Sequence, residues 1–143
     1  MQFTSFTALV LTFTALVSSA CAITVSYDQT YDNPNGDLHT VSCSNGPNGM
    51  LSKGFTDFQS LPNFPNIGGA AAIAGFDSAN CGTCWKLTYA GTGKSINVLA
   101  IDHAGAGFNI ALEAMNTLTN NQAVFLGRVD ATATQVDASE CGL

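Results

Sequence analysis

Asp102, His103 and Asn109 lie within eight residues of one another, and they are the side chains in the chain best placed to do chemistry. Asp102 ends the apolar run Ser95-Ile96-Asn97-Val98-Leu99-Ala100-Ile101 and enters a glycine-bearing loop, His103-Ala104-Gly105-Ala106-Gly107-Phe108-Asn109. Bare backbone beside a carboxylate lets a ligand approach closely. Glycoside hydrolysis requires two carboxyl groups, one of them a proton donor. Seven residues beyond Asp102 the position that could supply the second is Asn109, whose amide cannot act as an acid. Asp28 and Asp77 are the carboxylates that could replace it in a weak glycosidase. His103 abuts Asp102, but no Gly-x-Ser-x-Gly elbow accompanies it, so a hydrolase triad has no support and His103 reads as a loop histidine. Cys81-Gly82-Thr83-Cys84 has dithiol spacing, yet it opens a strand pattern, Trp85-Lys86-Leu87-Thr88-Tyr89, where no helix dipole would activate a thiolate. Structural disulfides are therefore expected. A zinc site would need Cys43 and Cys141, or His39 and His103, and no metal or other cofactor is expected. Tyr27, Tyr31 and Tyr89 are candidate stacking rings, whereas Trp85, next to Cys84, reads as core packing more than as a sugar platform.

The elements that would hold these groups are mostly strands. Two runs around Ala90-Gly91-Thr92-Gly93-Lys94 form a β-hairpin that delivers Asp102 to its loop. Ile23-Thr24-Val25-Ser26-Tyr27 alternates with the strand period, and Leu38 to Cys43 reads as a short second strand. Phe55 to Gly69, with Pro62 and Pro65, reads as a surface strap, and Ala70 to Ala74 is ambiguous. Ala111, Ala114, Met115 and Leu118 form one stripe of a short helix for which Asn109 is a plausible N-cap. The segment from Val124 to Val136 supplies one or two more strands. At least five short strands with one or two helices fit a small barrel or sandwich.

Residues 1–22 stand apart. An apolar run of about ten residues, too short to span a bilayer, precedes Ala20-Cys21-Ala22, as in a secretory signal peptide cleaved before Ile23. Residues 23–143 then form one domain. Removing Cys21 leaves Cys43, Cys81, Cys84 and Cys141, an even set that suits two disulfides in an exported chain, with three pairings open. Four basic and ten acidic residues give a net charge of −6, which argues against nucleic acid as a partner. No further hydrophobic segment follows, so a soluble extracellular protein that binds a neutral ligand is expected.

Several stretches, in order along residues 25–143, resemble the cerato-platanin family of small secreted fungal proteins. They are Val25-Ser26-Tyr27-Asp28, Cys43-Ser44-Asn45-Gly46, Leu61-Pro62-x-Phe64-Pro65-x-Ile67-Gly68-Gly69, Gly75-Phe76-Asp77-Ser78, Cys81-Gly82-Thr83-Cys84-Trp85, Ala100-Ile101-Asp102, Gly107-Phe108-Asn109-Ile110 and Cys141-Gly142-Leu143. The resemblance implies a mainly β fold, a six-stranded double-ψ β-barrel with one or two short helices. It also implies disulfides Cys43–Cys81 and Cys84–Cys141. It further implies a secreted or wall-associated protein that binds chitin oligomers and loosens cellulose without hydrolysis, as expansins do. Many members trigger plant defence, which makes a host immune receptor a partner, and some self-assemble at air–water interfaces. The family's important acid falls on Asp102. Where expansin-like proteins and related glycosidases carry Phe-Asp-Leu-Ser, this chain has Phe108-Asn109-Ile110-Ala111, in line with binding without cutting. Asp102, Asn109, Tyr27, Asp28 and Asn45 are the expected carbohydrate contacts.

Overall fold

The computed structural model describes residues 9–12, 14 and 21–143; the signal peptide expected over residues 1–22 falls mostly outside them. Six strands close into a barrel: β1 (Ala22–Tyr27), β2 (Ile67–Ala70), β3 (Cys84–Tyr89), β4 (Lys94–His103), β5 (Phe108–Ile110) and β6 (Arg128–Val136), in the spatial order β1-β5-β2-β4-β3-β6. Two pairs, β1–β5 and β2–β4, are parallel and the rest antiparallel. Closure leaves no free edge for another chain to extend. Val25, Leu87, Val98 and Ile110 are fully buried, and in β4 the run Val98–Ile101 is buried at every position, so that strand is covered on both of its faces. Two disulfides, Cys43–Cys81 and Cys84–Cys141, tie the loops and the C-terminus to the wall. Among the described residues no helix is long and apolar enough to cross a membrane, and no three His, Cys, Asp or Glu side chains group to hold a metal ion.

The hairpin of β3 and β4 is as expected, with Trp85 opposite Val98 and Leu87 opposite Ile96. Helix α1 (Leu112–Leu118) buries Ala114, Met115 and Leu118. Its cap differs from expectation. Asn109 lies inside β5, and Asp32 takes the role instead, accepting from Leu112 N at 2.8 Å and Glu113 N at 2.9 Å. The carboxylate satisfies two orphan donors and complements the helix dipole. Asp32→Ala is expected to lower stability by about 1–2 kcal/mol in chemical denaturation, with the native fold retained.

Three further segments depart from the sequence reading. Leu38–Thr40 is a 3-10 turn, not a strand, because the Asp37 carboxylate captures the His39 N–H at 2.8 Å and the Thr40 hydroxyl bonds the Asp37 carbonyl. Such local bonds compete with a strand ladder. That N–H, and then the His39 ring, hold the exposed Asp37 carboxyl below its ordinary value. The end of the proline-bearing strap is the buried strand β2, wedged between β4 and β5. Its glycines permit the close fit: a Cβ on Gly68 would collide with the Asn109 carbonyl, and one on Gly69 would lie 2.8 Å from the His103 carbonyl. Before β6, Ala123–Leu126 forms a short helix α2, ended at Gly127 with φ +68.

Candidate functional site

A polar row crosses the outer wall of the barrel. Arg128 of β6 pairs with Ser26 of β1, Ser26 with Asn109 of β5, Asn109 with Gly69 of β2, and Gly69 with Asp102 of β4. The neighbours of these positions along their strands include Val25, Ile101, Phe108, Ile110 and Val129, all buried. Alternation therefore turns the row outward. Asp102 joins it through a bulge. The β2–β4 register slips between Gly68, opposite Ala100, and Gly69, opposite Asp102, so Ile101 stays in the core while Asp102 faces out. A bulge of this kind re-aims a side chain without breaking the sheet.

Against the row lies a groove of about 580 Å3 lined by Ser26, Asn109, Arg128, His103 and the loop Ala104–Ala106. None of these residues carries a carboxyl group. The Ser26 hydroxyl donates to Asn109 Oδ1 at 3.0 Å, which fixes the amide and leaves its NH2 as a donor without another described partner. Arg128 Nη1 donates to Thr24 Oγ1 at 2.7 Å, and no carboxylate among the described residues pairs with this guanidinium. His103 is exposed, with Nδ1 2.6 Å from the Ile73 carbonyl oxygen.

Asp102 is half-buried and lies at the edge of the groove, outside its lining. Its Oδ1 accepts from Ser42 N at 3.0 Å and His103 N at 2.8 Å, and its Oδ2 accepts from the Tyr31 hydroxyl at 2.9 Å. Three donors on one carboxylate make it a fastening between β4, the 3-10 turn Gln29–Asp32 and the segment entering Cys43. Tyr31 is 5% exposed, which removes it from the stacking candidates. Burial, then the charge and hydrogen bond of Asp102, push its phenol well above its ordinary value of 10.0. A folded-state pKa above the unfolded one stabilises the fold fully below pH 10, and that share is lost as pH rises beyond it. Thermal stability is therefore expected to fall above about pH 10, and Tyr31→Phe to flatten that slope.

The other expected contacts are dispersed. Asp28 is exposed and caps the turn that carries Tyr31, accepting from Thr30 N at 2.8 Å. Tyr27 ends β1, half-buried and packed on the core. Asn45 is exposed in the loop after Cys43. Asp77 accepts from Asn48 N at 2.9 Å and pins that same loop. Trp85 is half-buried, packs edge-on against Phe108 at 5.6 Å, and donates Nε1–H to Thr83 Oγ1 at 2.8 Å. Sequence reasoning missed Ser26, Arg128 and the groove position of His103. Ser26 and Arg128 carry no motif for a ligand, and only barrel closure brings them beside Asn109.

The comparisons with known proteins agree with this architecture. The family model described as Cerato-platanin matches residues 23–143. The Allergen Asp f 15 homolog of Arthroderma benhamiae is 53% identical over 130 residues, covering 88% of this chain, which spans 63% of that protein's own length. Cerato-platanin of Ceratocystis fimbriata f. sp. platani is 39% identical over 88% of this chain and 91% of its own. Among solved structures, cerato-platanin 3 of M. perniciosa superposes with a TM-score of 0.83 at 50% identity, covering 86% of this chain and 100% of its own. The solution structure of the fungal elicitor Cerato-Platanin gives 0.72 at 39% identity, with 82% and 95% covered. From its closed six-stranded barrel, its two disulfides and these matches, the chain belongs to the cerato-platanin family.

Proposed function

We propose that this protein is secreted, binds N-acetylglucosamine oligomers in the groove on the β1–β5 wall, and loosens cellulose without hydrolysing it. The observation that carries this reading is the groove lining itself, which offers Ser26, Asn109, Arg128 and His103 as hydrogen-bonding groups and no carboxyl pair. The fixed Asn109 amide can donate to a sugar hydroxyl or acetamido carbonyl, and Arg128 keeps donors beyond the one given to Thr24. Each such bond contributes about 0.5–1.5 kcal/mol net. After the cost of association, a shallow site of this kind binds with a Kd on the order of micromolar to millimolar. Weak, reversible competition for interchain hydrogen bonds would loosen packed polysaccharide while leaving every covalent bond in place. The rival acids support the same side: Asp28 is engaged in capping a turn and Asp77 in holding the loop at Asn48.

The test is filter-paper loosening measured together with release of new reducing ends. Loosening without reducing ends is the expected result, and reducing ends from soluble chitin oligomers or glucan would instead establish a glycosidase.

A second reading, surface activity with host recognition, is favoured by a separate observation. Helix α2 exposes Val124 (67%) and Phe125 (84%) beside Leu126. Such a patch suits adsorption at an air–water interface or self-association. The relatives named as an allergen homolog and as a fungal elicitor support sensing by a host receptor. Phe125→Ser, Val124→Ser is expected to raise surface tension at equal concentration while leaving oligosaccharide binding intact.

A further inference from the structure

We propose that the barrel mouth beside Trp85 is a stacking subsite for one sugar ring of the oligosaccharide whose polar contacts are made in the groove. This inference rests on the groove reading above and adds a second contact to it. A pocket of about 290 Å3 opens there between Ile23, Ala71, Ala72, Trp85, Phe108 and Ala133. Its volume suits one six-membered ring with substituents, since a cavity of about 150 Å3 takes a benzene. Barrel mouths are places where ligands commonly enter.

Trp85 is built as a wall of this pocket. Its Nε1–H is already engaged by Thr83 Oγ1, and its ring stands at 62° to Phe108, so the indole orientation is set from two sides. Ala71, Ala72, Gly107 and Ala133 line the rest of this corner with little or no side chain, which keeps the space open between Ile23, Phe108 and the indole. With the indole N–H engaged, what the corner offers is apolar surface and π density. That matches the C–H face of a pyranose, whose polarised hydrogens meet the electron-rich face of an aromatic ring.

The pocket and the groove share one wall. Ala104, Gly105 and Ala106 line the groove, and Gly107 and Phe108, the next residues, line the pocket. Gly107 has φ +51, and a Cβ there would collide with the Thr24 carbonyl oxygen. The crest between the two sites is therefore bare backbone drawn tight against β1, over which a glycan can continue. Cys21 sits at the pocket lip, and a chain that begins at Ile23 leaves that side open.

Trp85 is the sole tryptophan, so its fluorescence reports on this pocket alone, while the amide NMR signals of Ser26 and Asn109 report on the groove. The disulfide-bonded protein is titrated with N-acetylglucosamine oligomers from the disaccharide to the hexasaccharide. All lengths are expected to shift the groove signals, and only the longer ones to change Trp85 emission. Ala71→Leu, at an exposed position on the rim, is expected to abolish that change and weaken the hexasaccharide about fivefold while sparing the disaccharide. Circular dichroism checks its fold, and Ala72→Leu serves if Ala71→Leu is misfolded. Groove shifts with no Trp85 response at any length, and unchanged hexasaccharide affinity in the filled variants, would overturn the subsite and leave the groove reading standing. No shift in either place would overturn both. A Trp85 response without groove shifts would overturn the shared path.

Discussion

Reduction of Cys43–Cys81 and Cys84–Cys141 is expected to unfold the protein. The bridges close loops with sequence separations of 38 and 57 residues, one after the other along the chain. The chain-entropy account gives about 4 kcal/mol for each. Because the loops do not overlap, their contributions should be close to additive, or about 8 kcal/mol together. A domain of this size is stable by about 5–15 kcal/mol in total. The first bridge joins the segment that follows the Leu38–Thr40 turn to the approach to β3, and the second joins the start of β3 to the C-terminal residues. Both anchor the same end of the hairpin, the start of β3, so their loss frees that end from the loops and the C-terminus at once. The expected result is loss of the native near-ultraviolet signal in dithiothreitol at 37 °C, with single Cys→Ala pairs intermediate. Retention of a cooperative melting transition by the fully reduced protein would show that the barrel core suffices alone.

Asp102→Ala should have the second largest effect, and it should act on structure before it acts on ligand. The substitution removes the acceptor for Tyr31, Ser42 and His103 together. An unsatisfied donor near the interior costs about 1–3 kcal/mol, and Tyr31 is the most buried of the donor residues. A loss of about 3 kcal/mol is expected in urea denaturation. Asp102→Asn keeps one acceptor oxygen and should lose roughly half as much. If Asp102 acts by holding the loops in place, sugar affinity will follow stability across Asp102→Asn, Tyr31→Phe and Asp102→Ala. If it touches the sugar directly, Asp102→Asn will lose affinity far beyond what Tyr31→Phe does, although the two variants are similarly stable.

How far the sequence could be read depended on where each side chain's partners come from. The β3–β4 hairpin and the stripe of α1 were legible because their signals are local, an alternation or a helical spacing within a few residues. Strand β2 was hidden because Ile67-Gly68-Gly69-Ala70 has little side-chain pattern; it is a strand through backbone contacts that only glycine admits. The stretch Leu38 to Cys43 misled for the opposite reason: residues such as Thr40 and Val41 suit a strand, but Asp37 closes a turn first. The cap of α1 was assigned to the nearest amide, Asn109, whereas the carboxylate that does it is 80 residues away. The site shows the same division. Asp102 and Asn109 stood out from their own neighbourhoods. Arg128 reaches Thr24 across 104 residues, and nothing short of the β1–β6 pairing reveals that the two ends of the chain build one groove.

That pairing has a practical consequence for anyone handling the protein. Strand β1 is an inner stave, held by β5 on one side and β6 on the other, and its first residues pass the pocket that holds Trp85. An affinity tag fused directly ahead of Ile23 would hang over that opening, and a sensor surface gripping the tag would shade it further. Leu143 at the other end is itself packed on the core, so a tag there carries its own cost. Labels are better attached within an exposed loop, such as the one around Gly75, where added atoms meet nothing.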